Sequence, residues 1–148
     1  MKKLPPVEKI YEAFSAIADQ RITMGEDHAL VKSSDFTKEY TVRWDGRVYS
    51  SDDNASYWQG YAGYPVIAVL MMQHILPLNL TIAGYFKGIN WKSLNNRYKS
   101  KYAMAVNEVM DDLSKKNVDV GIIRKEVGQI FDTLCDLDIQ IVRPRKSG

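Results

Sequence analysis

The chain has 148 residues, 45% of them hydrophobic and 26% charged, with a formal net charge of +2. That size and balance fit one self-sufficient globular domain over residues 1–148 and exclude a disordered chain, while so small a net charge does not by itself point to nucleic acid or a membrane surface. Cys135 is the only cysteine, which excludes an intramolecular disulfide and a cysteine-based zinc cluster within one chain and points to a reducing, cytoplasmic setting.

The start carries Glu8, Lys9 and Glu12 where a signal peptide would be apolar, so export is not expected. After Pro5-Pro6, the residues Val7, Ile10, Tyr11, Phe14, Ile17, Ala18 and Ile22 recur every three or four positions, which predicts a helix over residues 7–22. Residues 23–27, with Gly25, break that period. His28 to Lys32 has the composition of a short strand. In residues 38–44, Tyr40, Val42 and Trp44 alternate with Glu39, Thr41 and Arg43, the period of a half-buried strand. Asp45-Gly46 then suits a two-residue turn, which sends residues 47–50 back antiparallel with Tyr49 opposite Val42.

Residues 66–76 are apolar nearly all round and follow Pro65, so they predict the most buried helix, packed on the hairpin and on the stripe of the next long helix. With Gln73 and His74 inside it and Pro77 beyond, the segment is well short of the roughly 20 residues that span a bilayer, so no membrane partner is expected. Asn90 can cap a long helix to about Lys116 whose stripe is Trp91, Leu94, Tyr98, Tyr102, Ala105, Val109 and Leu113. Asp119 can cap a last helix with Ile123, Val127, Ile130, Phe131 and Leu134 inward. Residues 139–142 are strand-like and can return to the sheet edge, and residues 143–148 read as a loose tail. The whole reads as an α+β fold: an N-terminal helix, a small antiparallel meander, a helical half packed on it and a C-terminal edge strand. That edge strand is compatible with a homodimer.

No phosphate-loop or dinucleotide fingerprint is present, and His28 and His74 lie far apart outside any metal-binding pattern, so neither a cofactor nor a metal is implied. Asp52-Asp53 reads as a turn and capping pair, and no constellation decides whether the chain is an enzyme. Two features stand out. Tyr57, Trp58, Tyr61 and Tyr64 are interleaved with Gly60 and Gly63 just before the Pro65 helix, and can either wall a ligand pocket or pack over the hairpin as core.

The second is basic. From Asn54 to Asn107 there is no acid, and the bases Lys87, Lys92, Arg97, Lys99 and Lys101 gather around Trp91 and Asn95-Asn96. On one continuous helix Arg97 and Lys101 would be neighbours, and Lys92 and Lys99 would share a side. Such a surface suits nucleic acid or a phosphate-bearing ligand, or serves only as a solvated face. The two expectations are therefore a noncatalytic binding protein using the basic helix start, and a small-molecule enzyme or ligand-binding domain using the aromatic segment with His74 or Asp53 as its polar group. If Trp58, Tyr61 and Trp91 shared one cleft with Lys87 and Lys92, the two features would merge.

Overall fold

The structure, a computed structural model, describes residues 3–144. Its elements are α1 (Lys9–Ala18), β1 (Ile22–Met24), β2 (His28–Lys32), β3 (Glu39–Asp45), β4 (Val48–Ser51), a short π-helix (Ala55–Gln59), α2 (Tyr64–Met72), α3 (Leu80–Gly84), α4 (Trp91–Arg97), α5 (Tyr102–Lys115), α6 (Val120–Asp136) and β5 (Gln140–Val142). The fold is α+β. Its single five-stranded sheet runs in the order β1-β2-β3-β4-β5, antiparallel except for the parallel pairing of β4 with β5. The expected edge strand is thus present. Of the tail predicted to be loose, residues 145–148 lie outside the described residues, and Arg143 is anchored through Nε, which donates to the Tyr57 carbonyl at 3.2 Å.

Strand alternation decides which sheet face is dry. Ala29, Val31, Val42, Tyr49 and Ser51 are buried while Lys32, Glu39, Arg43 and Val48 are exposed. Against the dry side lies α2, packed on β3, β4 and α1, and α1 in turn contacts α3 and α6. Every residue from Val66 to Met71 is fully buried. The apolar run therefore forms the structural centre, shared with α1, which is buried from Lys9 to Ile17. The helix ends sooner than expected, at Met72, and His74, at φ 60°, turns the chain so that Met72 and Ile75 are exposed before Leu76 is buried again. The segment after Asn90 is not among the principal neighbours of α2.

Three local expectations are corrected. The first helix ends at Ala18, because Gln20 takes φ 56° and Arg21 leaves the helix to pair with β2: Lys32 N donates to Arg21 O, and the Arg21 guanidinium donates to Lys32 O. Ile22 therefore opens β1 rather than closing the helix. The hairpin turn is Gly46-Arg47, not Asp45-Gly46. Gly46, at φ 57°, fills the first loop position as a type II′ turn requires, and Asp45 pairs with Val48. Tyr49 thus faces Trp44, their rings 6.2 Å apart, and Val42 faces Ser51. Moving the turn by one residue shifts the pairing by two, so each side chain keeps its face.

The long helix after Asn90 is two helices. Lys99 and Ser100 adopt φ 53° and 64°, Ser100 N donates to Asn95 O at 2.7 Å, and the chain folds back. Arg97 and Tyr98 then both reach Glu108 of α5, at 2.9 and 2.8 Å. The neighbour relations drawn for one continuous helix, Arg97 with Lys101 and Lys92 with Lys99, accordingly do not hold.

Candidate functional site

A cleft of about 670 Å³ opens beside the N-terminal half of α1, bounded by the β2–β3 turn, the π-helix and the α4–α5 junction. Its floor is charged. Lys9 and Glu12, one helical turn apart on α1, form an ion pair at 3.3 Å with side chains only 11% and 9% exposed. Asn95 of α4 donates to the Glu12 carboxylate at 3.3 Å, and the Lys9 ammonium lies 4.1 Å from the centre of the Tyr102 ring. Burial alone would lower the Lys9 pKa, but the Glu12 carboxylate and the Tyr102 hydroxyl more than offset it, so Lys9 is held as an ammonium above its ordinary value. For Glu12 burial prevails over Lys9 and keeps the carboxyl above the usual range.

Behind this pair, Arg21 is fully buried at the side chain, 3.3 Å from Asp19, and its guanidinium lies over the Tyr64 ring at 5.9 Å. Its Nη2 has no hydrogen-bond partner among the described residues. Burial pushes the Tyr64 phenol, and those of Tyr40 and Tyr61, above their ordinary value, so all three face the cleft as neutral hydroxyls.

The wall formed by the π-helix is built by Asp53. Its carboxylate accepts from Ser51 Oγ and from the Ser56 amide, and its carbonyl accepts from the Tyr57 amide at 2.9 Å. Ser56 Oγ then accepts from the Gly63 amide at 3.1 Å, which closes the segment on itself. Gly63 has ordinary extended backbone, but a Cβ there would stand 2.1 Å from Asp53 Oδ2. Gly63→Ala is therefore expected to cost roughly 1–3 kcal/mol through overpacking alone. In a double-mutant cycle, Asp53→Ala should absorb most of that cost, and strictly additive denaturation midpoints would show that the two residues do not compete for this space.

The remaining rim is the β2–β3 turn. Asp35 accepts from Ser33 Oγ and from the amide and hydroxyl of Thr37, and those bonds from Thr37 first, then Ser33 and Lys92, hold its carboxyl well below the usual range. Lys92 pairs with Asp35 at 3.2 Å, and its own amide donates to Ser34 Oγ at 3.1 Å, so α4 is pinned to the turn.

Of the residues singled out from sequence, Trp58, Tyr61, Tyr64 and Lys92 line this one cleft. Tyr57 instead backs Trp58, edge to face at 4.7 Å, with the Arg143 guanidinium over both rings. Trp91 is buried, its Nε1 donating to Ser15 Oγ at 2.7 Å, and Lys87 and Arg97 line a separate depression. Lys99 and Lys101 are exposed in the α4–α5 break. Trp91 and Lys87 therefore do not join Trp58, Tyr61 and Lys92, and the two features meet through Lys92 and the neighbouring Asn95 and Asn96. Sequence reasoning passed over Lys9, Glu12, Tyr40 and Tyr102, because a lysine and a glutamate three apart on a helix normally read as a solvated pair. Among the described residues no group of three or more His, Cys, Asp or Glu side chains is placed to hold a metal ion. No helix among them is long and apolar enough to cross a membrane.

Fold and site together define an α+β protein with a polar, tyrosine-walled cleft of small-molecule size. Over residues 2–140 the sequence matches the family described as Uncharacterised conserved protein UCP014422, and the chain belongs to that family. No curated protein and no solved structure matches it.

Proposed function

We propose that this is a small-molecule-binding protein whose ligand occupies the cleft over Lys9 and Glu12. The observation that carries the reading is the buried ion pair at the floor of a cavity of about 670 Å³, a volume within the usual range of ligand sites. A desolvated lysine–glutamate pair is an inefficient source of stability, since an apolar pair of similar size often serves better. It is an efficient way to present a fixed ammonium and carboxylate to a polar ligand among neutral tyrosine hydroxyls. The π-helix and the consecutive left-handed Lys99 and Ser100 are two further unusual backbone features at the rim, of the kind that gathers at binding sites.

The basic surface expected to receive nucleic acid is less favoured as the principal site. Lys92 is paired with Asp35 and Arg97 with Glu108, which leaves fewer free cations for a polyphosphate backbone than the sequence suggests.

The test is an NMR titration with mixtures of common metabolites, followed through the three indole N–H signals. Trp58, exposed at the cleft, should shift, while buried Trp91 and Trp44, which lines a different depression, should not. If no mixture perturbs Trp58, or if the shifts gather at Trp44, the cleft is not the ligand site.

A further inference from the structure

We infer that the cleft takes a nucleoside monophosphate, with the base laid on the Trp58 indole and the phosphate drawn to the rim at Lys38 and Lys92. This deepens the small-molecule reading of the cleft and rests on it.

The first ground is Trp58 itself. Its side chain belongs to a 66% exposed residue, yet its position is fixed. The Tyr57 ring meets it edge to face, Arg143 lies 5.7 Å from its ring centre, and Asp53 and Gly63 hold the π-helix that carries it. A large ring held in place and left open at the mouth of a cleft is a pre-formed stacking platform, and a flat nucleobase is the partner that gains most from one.

The second ground is charge. The lining holds Lys9, Lys38 and Lys92 together with Glu12 and Asp53, and the Asp53 carboxylate is turned to Ser51 Oγ and the Ser56 amide. Lys9 is matched by Glu12 and Lys92 by Asp35, whereas Lys38 is exposed and has no ion pair among the described residues. The unmatched Lys38 ammonium makes the rim, rather than the neutralised floor, the place for an anion.

The third ground is the polar lining. Asn54, Gln59 and Asn96 place amide side chains on the lining, each offering both donors and an acceptor. That pairing of donor and acceptor suits the edges of bases and the hydroxyls of a ribose, whereas an inorganic anion needs donors alone.

The experiment is a calorimetric titration of the full chain with AMP, GMP, CMP and UMP, beside adenosine, ribose 5-phosphate and inorganic phosphate, in low salt. At least one nucleotide should bind more tightly than its nucleoside and than ribose 5-phosphate. Trp58→Ala should weaken that nucleotide by roughly tenfold or more while leaving ribose 5-phosphate little changed. Lys38→Ala should weaken the nucleotide several-fold and spare adenosine, and added salt should erase that difference.

Ribose 5-phosphate binding as tightly as every nucleotide, with Trp58→Ala indifferent, would overturn the base-stacking assignment. Adenosine matching AMP, with Lys38→Ala indifferent, would overturn the phosphate assignment. Silence to all of these probes while metabolite mixtures still shift the Trp58 indole would overturn the nucleotide class and leave the small-molecule reading standing. Silence in both experiments would remove that reading as well.

Discussion

Leu70→Ala is expected to lower the unfolding free energy by roughly 2–5 kcal/mol, a large share of the 5–15 kcal/mol typical of a whole domain. Leu70 has no exposed surface and belongs to a helix whose residues Val66 to Met71 are all fully buried, packed between α1 and the strands β3 and β4. Its truncation removes apolar contacts in a place where α1, itself buried from Lys9 to Ile17, and the sheet limit collapse into the void. Ile67→Ala should behave alike. Exposed Lys87→Ala should change stability by about 0.5 kcal/mol or less. Urea denaturation of the three variants makes the comparison, and core truncations that leave the midpoint where it was would show that α2 is not the structural centre.

The same helix illustrates what a sequence can convey. A run of apolar residues without a charge after Pro65 has few places to go except inside, so α2 was legible, as were the bounds of β2, the α+β class and the returning strand β5. Each of these depends on local pattern or on burial. The failures share a different cause. β1 exists because Arg21 and Lys32 exchange hydrogen bonds across eleven residues, a contact that no periodicity within residues 7–22 announces. The break between α4 and α5 falls on Lys99 and Ser100, neither glycine nor proline, and is fixed from outside by Glu108 reaching Arg97 and Tyr98. A propensity argument has nothing to read there, because tertiary partners impose the left-handed backbone.

The cleft was half legible for the same reason. Its aromatic wall comes from one short segment, so Trp58, Tyr61 and Tyr64 stood together in sequence before they stood together in space. Its floor joins α1 to α4 and α5, so Lys9, Glu12, Asn95 and Tyr102 become one group only when the chain is folded. The hydroxyls and amides that give the cleft its chemistry were visible as residue types, and their convergence was not.

That floor gives the second large effect expected. Lys9→Met should cost roughly 3–5 kcal/mol at pH 7, because it leaves the Glu12 carboxylate nine-tenths buried with Asn95 as its remaining polar partner. The cost should depend on pH in a definite sense. In the wild type, burial already holds Glu12 above its ordinary pKa, and without Lys9 it must rise further. A carboxyl that binds its proton more tightly folded than unfolded contributes most below the unfolded value, and stability then falls as pH climbs toward the folded one. Lys9→Met should therefore be nearly harmless near pH 4 and lose up to about 1.4 kcal/mol per pH unit above it, until Glu12 ionises. Adding Glu12→Gln to Lys9→Met should abolish the slope and recover much of the loss, since no buried charge remains. On the alkaline side the sign is opposite in origin but similar in effect. The raised Lys9 pKa contributes stability that is full below its ordinary value of 10.5 and is lost only above it, so that limb lies beyond pH 9 and does not overlap the slope from Glu12. Denaturation midpoints from pH 4 to 9 for the wild type, Lys9→Met and the double variant decide the matter. A loss under about 1 kcal/mol that does not vary with pH would mean that water reaches the pair freely, and would take from the cleft the buried charge on which its proposed role rests.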